Sequence, residues 1–178
     1  MPIELTALVL TYNEAPNLRR TLEKLVWLRE VVVVDSFSTD ETEAIAKSFA
    51  NVRFVPRTFD NHTAQWNFGV DQCATPWVLA LDADYILSDE LVRELQSLAP
   101  AVETVACFAR FKFCVHGQPL RASLYPPRAV LFRRVRCRYE PDGHTQLLKV
   151  SGPATQLTSV ILHDDRKPLA RWLWAQSR

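Results

Sequence analysis

Strand-like and helix-like segments alternate through the first hundred residues, and this alternation constrains the fold more than any other feature of the sequence. Four short apolar or β-branched runs predict strands at residues 3–10, 30–34, 52–55 and 77–81. Helical patterns follow them, starting at Pro16, Asp40, Asn61 or Thr63, and Ser88. Strands joined by helices predict right-handed βαβ crossovers, and therefore an α/β fold with a mainly parallel, Rossmann-like sheet flanked by helices.

After Pro100 the helical patterns become rare, and strand-like pieces follow at residues 104–115, 129–132, 135–139, 146–150 and 157–163. We expect them to add antiparallel strands to the same sheet, within a single domain that covers residues 1–178. A first half (1–100) and a second half (101–166) then share that sheet. Residues 167–178 predict a C-terminal helix with Leu169, Trp172 and Leu173 on one face. No helix-ending signal precedes Arg178, so we expect the natural chain to continue or the helix to dock on a partner.

Composition narrows the class of protein. The net charge is +1, so the chain has no overall excess of positive charge that would attract nucleic acid. None of the four cysteines forms a Cys-x-x-Cys pair, which disfavours a zinc site, and scattered thiols favour a reducing, cytoplasmic location. We expect no signal peptide, because Glu4 interrupts the first apolar stretch, and no apolar run approaches the ~20 residues of a membrane span.

The fourth predicted strand ends in two carboxylates, Asp82 and Asp84, which are separated by one residue. Side chains at this spacing point the same way in an extended segment, so both can face one hard cation. Mg²⁺ and Mn²⁺ are cations of this kind, held by one or two carboxylates together with substrate phosphates. The alternative is a structural role, because Asp often ends a strand by bonding to turn backbone.

Polar residues follow two other predicted strands as well. The first strand leads into residues 11–14, and the second leads into residues 35–40, which include Asp35 and Asp40. Because the carboxyl ends of parallel strands share one edge of a sheet, these carboxylates and those of the fourth strand should meet in one cleft. Clustered carboxylates repel one another, which destabilises the fold unless a cation or hydrogen-bond donors offset the repulsion. The pattern therefore predicts a metal–nucleotide site.

Several ordered motifs resemble the family 2 glycosyltransferases with a GT-A fold, and within them the lipopolysaccharide core β-1,4-glucosyltransferase subgroup. The motifs that carry the resemblance lie at residues 11–14, 35–40, 65–69, 81–84, 125–128 and 131–134. The match runs from about residue 3 to about residue 163. It implies that residues 1–100 bind a nucleotide-diphosphate sugar, with UDP-sugar favoured, and that residues 101–166 bind the acceptor.

The resemblance also implies roles for individual residues at the donor. The residues it assigns to donor binding are Thr11, Tyr12, Glu14, Asp35, Ser38, Asn67, Asp82 and Arg128. Asp35 would accept a hydrogen bond from the base, and an ionised acceptor makes that bond strong. Asp84 would be the principal metal-binding acid, Asp82 would lie nearer the ribose, and His163 would complete the metal shell. Asp40 would serve as a helix cap.

The acceptor side departs from the family pattern. Inverting transfer needs a carboxylate to take the proton of the acceptor hydroxyl, and the related subgroup has a His-Glu pair at this point. Here Thr145 stands where Glu would follow His144, so Asp142 is the first candidate for the base and Glu140 the second. A polar turn is the alternative for both. His144 would orient the acceptor or act as a structural hydrogen-bonding group.

Three arginines alternate with other residues in a predicted strand of the second half: Arg134, Arg136 and Arg138. They would share one face, either as a solvated sheet surface or as a contact for acceptor phosphates or anionic lipid heads.

Taken together, the sequence predicts a metal-assisted, inverting glycosyltransferase that acts on a cell-envelope glycan or a lipid-linked acceptor. We expect it in the cytoplasm, with peripheral contact to the inner face of the cell membrane. The first alternative is a non-catalytic or truncated nucleotide-sugar-binding module, favoured by Thr145 and by the abrupt end at Arg178. The second is a nucleotidyltransferase, which the four unclustered glycines disfavour because they form no phosphate-binding loop.

Overall fold

The computed structural model describes residues 3–121, 126–143, 145–168 and 170. Its helices are α1 (Leu18–Glu23), α2 (Thr42–Lys47), α3 (His62–Gln72) and α4 (Asp89–Ser97). Its strands are β1 (Leu5–Thr11), β2 (Val31–Asp35), β3 (Val52–Pro56), β4 (Trp77–Asp82), β5 (Tyr85–Leu87), β6 (Ala106–Val115), β7 (Gln118–Pro119), β8 (Arg128–Arg133), β9 (Cys137–Asp142), β10 (Thr145–Val150) and β11 (Ala154–His163). Most of the predicted C-terminal helix, including Leu169, Trp172 and Leu173, lies outside the described residues, as do Tyr125 and His144.

The first half forms the predicted parallel sheet. Its strands lie side by side in the order β3-β2-β1-β4, and every neighbouring pair is parallel. Side chains alternate between two apolar layers. Val31 and Val33 pack in one layer with the apolar faces of α1, α2 and α4, whereas Val32 and Val34 pack in the other with α3. Both faces of the sheet are therefore covered, which is why β1 and β2 are almost continuously apolar.

Two helices begin where the sequence predicts. The Asn61 side chain accepts the backbone N–H of Ala64 at 2.8 Å, and the Ser88 side chain accepts that of Leu91 at 3.2 Å. Each cap satisfies a backbone donor that has no partner within its helix. Asp40 is predicted to cap α2, but the N-cap residue of that helix is Glu41, whose side chain makes no capping bond. Asp40 lies one residue earlier and accepts the N–H of Thr42 at 3.0 Å.

The second half extends the same sheet in the order β4-β8-β6-β11-β5. The expected antiparallel addition is confirmed for β8, which pairs antiparallel with both β4 and β6. The expectation is wrong for β11, which runs parallel to β6. The reason is that residue 153 returns to the start of β6, where Val105 donates its N–H to the Pro153 carbonyl at 2.8 Å. Strand β5 has only three residues, too few to give a sequence pattern.

The hairpin of β9 and β10 is the second departure from expectation, since it forms a separate two-stranded sheet. Its apolar side chains, which include Cys137, Tyr139 and Leu148, cover the same face of the main sheet as α3. The predicted strand at 135–139 begins only at Cys137, and residues 134–136 form a turn. Arg134, Arg136 and Arg138 therefore do not share one strand face. Within the described ranges, no helix is long and apolar enough to cross a bilayer.

Candidate functional site

The C-terminal ends of β1, β2 and β4 lie at one edge of the sheet, which we call the carboxyl edge. In the register of these strands Thr11 lies beside Asp35, and Leu10 lies beside Asp82. Of the four acids predicted to share this edge, the register places Asp35 and Asp82 at the ends of the two strands that flank β1. This placement follows directly from the parallel pairing of strands that end at similar heights.

Asp35 is held by three donors. The Thr11 and Ser38 hydroxyls donate to Oδ1 at 2.7 and 2.6 Å, and the Ser38 N–H donates to Oδ2 at 2.7 Å. The side chain is almost fully buried. A carboxylate can accept about four hydrogen bonds, so Asp35 both caps its own turn and retains acceptor capacity at the carboxyl edge.

The loops after β1 and β2 are tied to each other. The Asn13 N–H donates to the Ser38 hydroxyl at 2.8 Å, and the Thr39 N–H donates to the Asn13 side chain at 2.8 Å. Asn13 and Phe37 both have left-handed backbones, with φ of 53° and 59°. The Tyr12 and Phe37 rings beside them remain about half exposed. Sequence reasoning missed Phe37, because nothing in the sequence indicates the left-handed turn that exposes it.

Asp84 and His163 meet at the end of β4. The His163 Nε2 lies 3.0 Å from the Asp84 Oδ2. Burial alone would lower the pKa of His163, but the hydrogen bond and the charge of Asp84 outweigh it and raise that pKa. Burial of the Asp82 carboxyl, followed by the negative charge of Asp84, raises the pKa of Asp82. The Tyr85 hydroxyl, which the sequence analysis did not single out, hydrogen-bonds to Asp82.

These donors suit a divalent cation whose shell a substrate completes. Among the residues that the structure describes, no three His, Cys, Asp or Glu side chains form a metal-holding group. Asp84 and His163 nevertheless offer an oxygen and a nitrogen close together, with Asp82 nearby. Mg²⁺ is usually bound by one or two carboxylates while phosphate oxygens and water supply the rest. The site therefore fits a cation bound together with a phosphate-bearing ligand, and not an all-protein cage.

Glu14 lies against residues that follow β11. Its carboxylate pairs with the Lys167 ammonium and accepts the Asn17 side-chain amide at 3.0 Å. Burial raises the pKa of Glu14, although its bonds to Lys167 and Asn17 act in the opposite direction. Asn17 also donates to Asp165 at 2.8 Å. Glu14 thus joins the loop after β1 to the segment that carries His163.

A cavity of about 350 Å³ lies between the carboxyl edge and the β9–β10 hairpin. Its polar lining includes Asp82, Arg128 and Asp142, and its aromatic lining includes Trp66 and Tyr139. The Trp66 and Tyr139 rings stack with their centroids 5.2 Å apart. Asp142 and Asp82 therefore line the same cavity, as the sequence predicts for a base candidate and a donor-site residue. Sequence reasoning did not predict the aromatic wall, because the hairpin approaches α3 only in the folded chain.

Two other predicted residues have different surroundings. Glu140 pairs with Lys149 at 2.9 Å on the exposed side of the hairpin and does not line the cavity. The Asn67 amide donates to the Tyr139 carbonyl at 2.9 Å and accepts the Tyr139 N–H at 3.0 Å. Asn67 therefore joins α3 to β9, and its amide groups are engaged there.

The chain is similar to one protein-family model and to several curated proteins. A sequence model described as glycosyl transferase family 2 matches residues 6–149. Over 97 residues the chain is 35% identical to the lipopolysaccharide core biosynthesis glycosyltransferase LpsC of Rhizobium meliloti, covering 52% of this chain and 36% of LpsC. An uncharacterized glycosyltransferase of Rickettsia felis is 34% identical over 94 residues, covering 52% of this chain and 33% of that protein. The chain thus spans about a third of the length of these relatives.

The fold has counterparts among solved structures. Staphylococcus aureus TarS 1–349 in complex with UDP-GlcNAc superposes with a TM-score of 0.71 over 93% of this chain and 60% of TarS, at 16% identity. The same TarS fragment in another crystal structure gives a TM-score of 0.68. At this identity the likeness establishes the fold alone, a mixed α/β architecture with a mostly parallel sheet.

Proposed function

The chain belongs to glycosyl transferase family 2, and from that premise we propose that it is an inverting, metal-assisted glycosyltransferase that uses a nucleotide-diphosphate sugar, with UDP-sugar favoured. One observation carries the proposal: the pair of Asp84 and His163 lies on the same sheet edge as the Thr11–Asp35 pair, and a cavity containing Asp142 opens beside it. This arrangement supports a cation site and an acceptor for a base on one sheet edge, with a proton acceptor on the β9–β10 hairpin across the cavity. TarS, which has the same fold, is known in complex with UDP-GlcNAc.

In the proposed donor complex the base lies at the Thr11–Asp35 end of the carboxyl edge, where Asp35 accepts a base N–H and the Tyr12 ring flanks it. Asp84 and His163 hold Mg²⁺ or Mn²⁺, with Asp82 nearby. When bound, such a cation supplies charge stabilisation for a departing diphosphate. Arg128 lines the cavity beside Asp82 and adds a fixed positive charge there.

In the proposed transfer, the acceptor hydroxyl attacks the anomeric carbon of the sugar from the face opposite the diphosphate. The bond between that carbon and the diphosphate oxygen breaks, and the diphosphate leaves with the electron pair. The Asp142 carboxylate takes the hydroxyl proton, which is general-base catalysis by a group within the same cavity. The attack from the opposite face inverts the configuration at the anomeric carbon.

The acceptor proposed is a cell-envelope glycan or a lipid-linked saccharide, assembled at the inner face of the membrane. The support is the relative LpsC, whose name assigns it to lipopolysaccharide core biosynthesis. The cavity is lined by aromatic rings and only a few charged groups, and such surfaces suit the mixed apolar and polar faces of a sugar.

The test is a thermal-shift panel of UDP, GDP, ADP and CMP, each with and without Mn²⁺. A ligand that binds only the folded chain raises its melting temperature. We expect a Mn²⁺-dependent shift that is largest for UDP and absent in Asp84→Ala. The matched control is Glu90→Ala, which changes an exposed side chain of α4. If no nucleotide raises the melting temperature, the donor-site assignment is wrong. A selective shift without sugar transfer to any acceptor would favour the non-catalytic nucleotide-sugar-binding module.

A further inference from the structure

Positive charge is concentrated in one continuous part of the sequence. Between Glu103 and Glu140 there is no Asp or Glu, whereas the same stretch contains eight Lys or Arg residues. The whole chain carries a net charge of only +1, so the remainder carries −7. A cationic region can attract anionic partners locally even when the net charge of the whole protein is close to zero.

Most of these cations have partners within the fold. Arg110 donates to the Thr158 carbonyl at 2.6 Å, and Arg138 pairs with Asp71 at 2.6 Å. Arg133 and Arg136 also donate to backbone carbonyls, while Arg128 lines the cavity. Lys112 and Arg121 differ, because both are exposed and neither forms an ion pair with any residue in the described part of the chain. The eighth cation, Arg134, is only partly exposed, and its charge acts on Asp71. Lys112 and Arg121 are therefore the exposed cations of this stretch that no described residue pairs with.

Lys112 and Arg121 flank the β6–β7 hairpin, which carries two exposed aliphatic side chains. Val115 is 55% exposed and Leu120 is 47% exposed. The two turn residues, His116 and Gly117, have φ of 49° and 80°, as in the tight turns that match strand twist. The hairpin is thus a defined element that presents apolar surface to water.

The hairpin is fixed to the fold and stands beside the candidate site. The Gly117 N–H donates to Asp164 Oδ1 at 3.1 Å. Phe113, three residues before His116, lies in register with His163, and their rings are 4.7 Å apart. Because β6 runs in the same direction as β4, its end projects beyond the carboxyl edge, on the side of Asp84 and His163.

We propose that the β6–β7 hairpin docks on an anionic lipid surface. Val115 and Leu120 enter the interface between headgroups and acyl chains, while Lys112 and Arg121 contact headgroup phosphates. Exposed aliphatic tips beside unpaired cations are the pattern of interfacial membrane binding, in which apolar burial and attraction to anionic lipid act together. The inference rests on the proposed function, since docking there brings the carboxyl edge and its cavity to a lipid-linked acceptor.

The test is co-sedimentation of the full chain with vesicles of phosphatidylcholine mixed with phosphatidylglycerol, and with vesicles of phosphatidylcholine alone. We expect binding to the mixed vesicles that weakens with salt. Lys112→Gln with Arg121→Gln should weaken it about thirtyfold, since each cation near an anionic surface is worth about 1 kcal/mol. Val115→Ser with Leu120→Ser should weaken it at least about tenfold.

The matched control is Val102→Ser with Val135→Ser. These valines are 89% and 78% exposed, but they lie at the opposite edge of the sheet, near the starts of β6 and β4. The control should bind vesicles like the unaltered chain. The proposal is overturned if the control loses as much binding as the hairpin variants, if the hairpin variants bind normally, or if the unaltered chain does not bind.

Nucleotide thermal shifts on the same variants separate this inference from the proposed function. Hairpin variants that keep the UDP shift and lose vesicle binding support docking and demonstrate that the chain is folded. Vesicle binding with no nucleotide shift in the unaltered chain would retain the docking surface and reject the donor site. A UDP shift without vesicle binding would retain the donor site and reject the docking surface.

Discussion

The carboxyl edge and the β9–β10 hairpin form opposite sides of the same cavity, but they are held in different ways. Parallel backbone ladders set the positions of Thr11, Asp35 and Asp82. Within the described residues, the hairpin shares no backbone ladder with the main sheet, and side chains of α3 help to attach it. Three contacts make that attachment: the hydrogen bonds of the Asn67 amide, the stacking of the Trp66 and Tyr139 rings, and the Arg138–Asp71 ion pair.

This difference has a functional consequence. Backbone ladders are buried and cooperative, so the donor side of the cavity should open only with the whole domain. The hairpin depends on a few contacts, so changes there should alter the acceptor wall while the donor side stays intact. Donor binding and acceptor handling are therefore separable by mutation.

The largest expected effect comes from the carboxyl edge itself. Asp84→Ala should reduce turnover by about a thousandfold or more, because charge stabilisation at a departing diphosphate is worth several kcal/mol. Chelation of divalent metal should reduce the activity of the unaltered enzyme similarly. The assay is sugar transfer from the nucleotide sugar identified by thermal shift, with Glu90→Ala as the control. Turnover that survives both the substitution and the chelator would remove Asp84 from the proposed mechanism.

The next effect separates the two candidates for the base on the hairpin. Asp142→Asn should lower kcat by about a hundredfold to ten-thousandfold, the usual contribution of a positioned base. Glu140→Gln should change it little, because Glu140 pairs with Lys149 on the exposed side. Both variants should keep the UDP-dependent thermal shift. If Glu140→Gln shows the larger loss, the two assignments must be exchanged.

The difference between backbone ladders at the carboxyl edge and side-chain contacts at the hairpin also explains what the sequence could predict. The strand ends at Asp35 and Asp82 were predictable, because apolar runs bounded by acids and joined by helices admit few arrangements. The hairpin was predicted to join the main sheet, because its alternating pattern does not say which apolar surface it covers. The role of Asn67 was equally hidden. It depends on the contact of α3 with Tyr139, 72 residues away along the chain, and local pattern carries no information about that contact.

Removing the Asn67 amide should loosen the hairpin. We expect Asn67→Ala to lower the free energy of unfolding by about 1–3 kcal/mol, since two backbone groups of Tyr139 lose their partner. The KM for acceptor should rise about tenfold while the Kd for UDP stays the same. Urea denaturation and steady-state kinetics measure the two effects.

The control for this change is Asn61→Ala, which removes the cap at the start of the same helix, where the Asn61 side chain accepts the N–H of Ala64. It should cost about 1 kcal/mol of stability without raising the acceptor KM. Equal KM increases in both variants would mean that general loosening of α3, and not the Asn67–Tyr139 bonds, controls the acceptor wall.

The smallest expected effect concerns the Asp71–Arg138 pair, which joins the exposed ends of α3 and β9. Its hydrogen bonds with Arg138 lower the pKa of Asp71 below the usual 3.8. A lowered pKa in the folded chain adds stability above the unfolded pKa, and this stability is lost as the pH falls through the folded value. Because both side chains are about half exposed, Asp71→Asn should cost less than about 1 kcal/mol at neutral pH. Urea titrations of both proteins between neutral and acid pH should therefore converge below about pH 4. A difference that persists at acid pH would mean that Asp71 stabilises the hairpin through packing and not through its charge.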